Sequence, residues 1–126
     1  AGIAHLIRTF VLMCGLPSRI DASIGGTPKF DDYQALLARA VPREQWQAYC
    51  DSIGPLTPAL YVGQASPSSV LMQFGTADAW ISAQAGAAYF AAASEPKALR
   101  RYRCSHEFND LQALVDRAEW LHRERA

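Results

Sequence analysis

Three strand-length runs, held apart by stretches of helical period, constrain the fold of this chain most. FVLMC (10–14) is continuous and apolar and is stopped by Gly15 and Pro17. VLMQF (70–74) is the second run, and LRRYRC (99–104) is a third, more charged one. Continuous apolar runs suit strands covered on both faces of a parallel sheet, since alternation is lost when neither face meets water. The arginines of the third run place it near a sheet edge, where charge is tolerated.

The segments between are helical. Residues 31–40 put Asp31 and Asp32 in a first turn, where they favour the helix dipole. Pro42 suits the first turn of the next helix, in which Trp46, Tyr49, Cys50 and Ile53 recur at i, i+3, i+4 and i+7. Gly54 and Pro55 end it. Ser82 is placed to cap a helix through AQAGAAYFAAA, which stops near Pro96. Asn109 with Gln112 resembles a capping box for a last helix, with Leu111, Leu114, Val115, Ala118 and Leu121 on one face. Strands alternating with helices predict parallel β-α-β units. The expected class is therefore α/β: a small parallel sheet flanked by helices, with a helical insertion at about 29–62, in one domain over 1–126.

Composition narrows the function. Twelve basic and twelve acidic residues cancel, and without a positive field neither nucleic acid nor an anionic membrane is an expected partner. No apolar run approaches the roughly 20 residues that span a bilayer, and AGIAHLIRTF lacks a basic-then-apolar leader pattern. Cys14, Cys50 and Cys104 are odd in number and widely spaced, which reads as reduced thiols in a cytoplasmic protein. No C-x-x-C or H-x-H pair occurs, so a zinc site is not indicated; no metal and no cofactor are expected.

The residues that could carry chemistry sit after the second and third strands. Asp78, in GTAD, lies four residues past VLMQF, and His106 directly follows LRRYRC in a polar loop. Catalytic groups in open α/β sheets gather at the C-terminal strand ends. An acid there can fix a histidine tautomer, and a loop imidazole can reach both an acid and a nucleophile. Taken singly, Asp78 also suits capping its own turn, and His106 suits an ordinary exposed loop. As a pair, one β-α-β crossover apart, they are more specific. Trp80, Trp46 and Tyr49 are candidates for lining a substrate pocket, with core or cover as their other role. No G-x-S-x-G is present. Ser18, in GLPS, is the candidate nucleophile after the first strand, and Cys14 is an outside candidate that reads more simply as a buried, unactivated thiol.

IRTFVLMCG, VLMQFGTADAWIS, AAYFAAASEPKALRRYRCSHEFND and the closing DRAEWL resemble the C-terminal half of α/β-hydrolases, near the dienelactone hydrolase and acetyl-esterase branches. The resemblance implies that Asp78 is the acid and His106 the base of a Ser-Asp-His triad, and that the parent chemistry is carboxylic ester hydrolysis by acyl transfer through serine. It also implies a missing N-terminal half with the serine elbow and the oxyanion-hole loop, so the chain is expected to be a fragment. A small ester is the implied substrate. FVLMC, without the flanking strand, leaves an apolar edge, and a homo-oligomer joined through residues 8–15 is expected. The other functional class is a non-catalytic, self-associating scaffold domain.

Overall fold

The computed structural model describes residues 7–18 and 27–124. Three strands, β1 (Thr9–Met13), β2 (Ser69–Gly75) and β3 (Lys97–Tyr102), form one sheet in the order β1-β2-β3. Both pairings are parallel, with Val11 opposite Leu71 and Met72 opposite Leu99. The helices are α1 (Pro28–Ala40), α2 (Trp46–Ile53), α3 (Ala83–Ala92) and α4 (Leu111–Arg123), with short 3-10 turns between α2 and β2. The architecture is thus a small parallel α/β sheet flanked by helices. Among the described residues no helix is long and apolar enough to cross a membrane.

β2 is central, and all seven of its residues are buried. Alternate side chains leave a strand on opposite faces, and here each face has its own cover. Val70, Met72 and Phe74 pack with Ile81, Ala85, Tyr89 and Ala93 around α3, joined from β1 by Phe10 and Leu12. Gly86 keeps that contact close, because a Cβ there would lie 3.3 Å from the Phe74 ring. On the other face Gln73, fully buried, donates through Nε2 to the Tyr102 hydroxyl and to the Ala113 carbonyl, both at 2.9 Å. Tyr102 in turn donates to Asp116 Oδ2 at 2.8 Å. A polar chain therefore ties β2, β3 and α4 together.

That chain sets the rotation of α4, and the result differs from the sequence expectation. Asp110, not Asn109, is the N-cap, its carboxylate accepting from Ala113 N at 3.0 Å. Ala113 and Trp120 face the sheet, and Trp120 Nε1 donates to Thr9 Oγ1 at 2.7 Å. The leucine stripe points outward instead: Leu111 is 76 % and Leu114 55 % exposed. A buried amide N–H and an indole N–H both need partners, and in this rotation Gln73 Nε2 and Trp120 Nε1 find them, while Gln73 Oε1 stays buried without one.

From the insertion, Val62 and Ala59 pack into the core beside β2, and the start of α1 is tied to the turn after β2. Thr27 caps α1, accepting from Phe30 N at 3.2 Å, while its hydroxyl donates to the Trp80 carbonyl at 3.2 Å. Phe30, 1 % exposed, is the one fully buried residue of α1, and α2 has none.

Candidate functional site

The turn after β2 and the loop after β3 are pressed together at Gly75. A Cβ there would lie 2.4 Å from the Cys104 carbonyl oxygen and 2.9 Å from that of Ser105. Only glycine admits this approach. Backbone bonds fix it: Thr76 N donates to Tyr102 O at 2.8 Å and Ala77 N to Cys104 O at 3.1 Å. The loop then doubles back through Phe108, whose φ of 60° is left-handed, and Phe108 N donates to Ser105 O. Asp78 and His106 are carried by these two segments.

His106 Nδ1 lies 3.0 Å from Asp78 Oδ2 and 3.2 Å from Oδ1. The Asp78 side chain has no exposed surface, while that of His106 is 39 % exposed. Oδ1 also accepts from the backbone N–H groups of Trp80, at 2.7 Å, and Ile81, at 2.9 Å. Asp78 therefore caps its own turn and meets the imidazole at the same time. Burial alone would raise its pKa. The Ile81 and Trp80 amides, His106 and the Cys14 thiol outweigh burial and hold the carboxyl below its ordinary 3.8.

Cys14 is the third member of the cluster. Its amide continues the β1 ladder, donating to Gln73 O at 2.9 Å, and its φ of 45° turns the chain out of the strand. The residue is 8 % exposed, and burial pushes the thiol from 9.0 up to about 12, with the adjacent Asp78 carboxylate adding to the rise. The thiol is a donor to that carboxylate rather than an activated nucleophile.

A cleft of about 470 Å³ opens beside the pair, lined by Cys14, Leu16, Phe30, Tyr33, Trp80, Ile81 and His106. The Trp80 and His106 ring centroids are 6.1 Å apart, and Lys29 Nζ stands 5.3 Å from the Trp80 centroid. Of the residues singled out from sequence, Asp78, His106 and Trp80 come together here. Trp46 and Tyr49 do not line this cleft: they pack on each other within α2, with centroids 5.7 Å apart, and Tyr49 borders a separate cavity. Ser18 is 2 % exposed and is not among the lining residues. Phe30 and Tyr33 take the places sequence reasoning gave to Trp46 and Tyr49. Their signal was the Thr27 cap, which fixes the start of α1 beside Trp80.

The chain matches no family model, no curated protein and no solved structure. The site has therefore to be judged on its own geometry. Among the described residues no serine lines the cleft. What the arrangement offers is a carboxylate pinned by two backbone donors, an imidazole held through Nδ1, and an apolar cleft beside them.

Proposed function

We propose that this chain carries the acid and base of an α/β-hydrolase-type serine hydrolase, cleaving a small carboxylic ester by acyl transfer. The observation behind the reading is the Asp78–His106 pair, 3.0 Å apart at the C-terminal ends of adjacent parallel strands. In this role Asp78 holds Nδ1–H and stabilises the imidazolium without itself taking the proton. His106 Nε2 accepts the proton of a serine hydroxyl, returns it to the leaving alkoxide, and then activates water against the acyl-enzyme. The substrate's acyl part rests against Leu16, Phe30 and Trp80. The reaction uses no cofactor. A cytoplasmic setting suits Cys14, Cys50 and Cys104, all of them free thiols.

The reading takes its nucleophile from outside the cleft-lining residues. The test compares the 126-residue chain with the full product of its gene, using a short-chain nitrophenyl ester and a serine-directed phosphonate. The isolated chain should show weak turnover or none. The gene product should label at a serine in a G-x-S-x-G elbow and lose turnover on His106→Ala and on Asp78→Ala. Turnover indifferent to both substitutions would sink the reading.

A second reading is a non-catalytic, self-associating scaffold. It is favoured by the outward leucines of α4 and by Met13, 45 % exposed on the edge strand β1. Association through residues 8–15 is compatible with either reading. Ester turnover that depends on His106 separates them.

A further inference from the structure

Cys14, Asp78 and His106 come from three separate segments: the end of β1, the turn after β2 and the loop after β3. One donor atom from each lies within 4.8 Å of the other two. The set combines a thiol, an imidazole and a carboxylate, the donors that select zinc or cobalt over magnesium or calcium. A tetrahedral zinc ion with bonds of about 2.0–2.3 Å spaces its ligand atoms roughly 3.3–3.5 Å apart. His106 Nδ1 and Asp78 Oδ2 already stand at 3.0 Å. Oδ1 is engaged by the Trp80 and Ile81 amides, which orient the carboxylate as outer partners orient a metal ligand and leave Oδ2 as the available oxygen. No ligand atom of the three stands more than 4.8 Å from another, and the Cys14 thiol already donates to the Asp78 carboxylate. Cys14 and His106 both border the cleft, so a fourth position faces open space for water or an added ligand.

We propose that this cluster is a three-ligand binding site for a thiophilic divalent cation, Zn²⁺ in the first instance, through Cys14 Sγ, Asp78 Oδ2 and His106 Nδ1. Binding displaces the thiol proton to solvent, and the imidazole takes the tautomer protonated on Nε2. In that tautomer Nε2 has no lone pair to accept a proton, and Nδ1 has no hydrogen to give Asp78. Cation binding and general-base chemistry at His106 therefore exclude each other. The metal site itself does not rest on the hydrolase reading, and its test involves no ester.

The test is titration of the chelator-stripped chain with Co²⁺, followed by the near-ultraviolet thiolate-to-cobalt charge-transfer band, and then competition with Zn²⁺. One equivalent should bind with that band, Zn²⁺ should erase it, and Mg²⁺ should not. Cys14→Ser should abolish the band, while Cys50→Ser and Cys104→Ser should keep it. His106→Gln, a change at a partly exposed side chain, should weaken binding at least about tenfold, the loss that even an outer partner of a ligand can cause. If Cys14→Ser fails to fold, His106→Gln decides alone. A band that follows Cys50 or Cys104, affinity unchanged in His106→Gln, or no band at millimolar Co²⁺ would overturn the proposal.

Discussion

Gly75→Ala tests how the two halves of the site are held in register. The added Cβ would sit 2.4 Å from the Cys104 oxygen, against an ordinary contact of 3.4 Å or more. The opposing atom is backbone, so no side chain can swing away. The loop after β3 must retreat by about 1 Å, by difference of those two distances. Such overpacking costs roughly 1–3 kcal/mol. Weakening the Ala77 N–H bond to Cys104 O costs about 1 kcal/mol more. Against this, alanine reduces the entropy of the unfolded chain, a gain of about 0.4–1 kcal/mol. The net expectation is destabilisation by about 1–3 kcal/mol, which at a urea slope of about 1–3 kcal/mol/M lowers the midpoint by about 1 M. His106 lies on the displaced loop, so its imidazole NMR signals should shift as the bond to Asp78 lengthens. Gly86→Ala is the internal control. The atoms nearest its new Cβ belong to the Phe74 ring, at 3.3 Å, and the helix gains up to about 1 kcal/mol from losing a glycine. It should be near neutral and leave His106 unmoved. A Gly75→Ala protein with the wild-type midpoint and unshifted His106 signals would refute the reasoning.

Three further outcomes are expected. Asp78 is held below its ordinary 3.8 in the folded chain, so its contribution is present above that value and is lost as pH falls through the folded pKa. The stability gap between wild type and Asp78→Asn in urea should therefore narrow from pH 7 toward pH 3, and a constant gap would count against the assignment. With its thiol raised to about 12 and buried, Cys14 should be alkylated by iodoacetamide last, after Cys50 and Cys104, as followed by peptide mass mapping. Its labelling first would mean that the thiol is activated after all. Leu12 packs into the core whereas Met13 is exposed on the β1 edge, so Met13→Lys is the clean probe of association through residues 8–15. It should lower the light-scattering mass without loss of the folded signal. A wild-type chain already monomeric at high concentration would end the idea.

The strands were legible in the residues because a strand covered on both faces must be apolar throughout: VLMQF became the centre of the sheet. The β3 arginines read correctly as an edge: Arg100 and Arg101 are exposed, and among the described residues β2 is the single strand neighbour of β3. Asp78 and His106 could be named because parallel strands deliver their C-terminal ends to one side of a sheet. The Thr-Pro pair at 27–28 carried the signal for the start of α1, whereas the outward rotation of α4 could not be read. The same leucine stripe serves an inward or an outward face, and the choice was made by Gln73 and Trp120, buried polar groups whose partners lie 29 to 111 residues away. Cys14 is the sharper case. Sequence shows a cysteine ending an apolar run, and spacing rules for metal ligands see nothing across positions 14, 78 and 106. Periodicity is a local property and sets which residues face the core. Which donors share one cleft depends on where three strand ends and one intolerant glycine contact place them, and only the tertiary structure decides that.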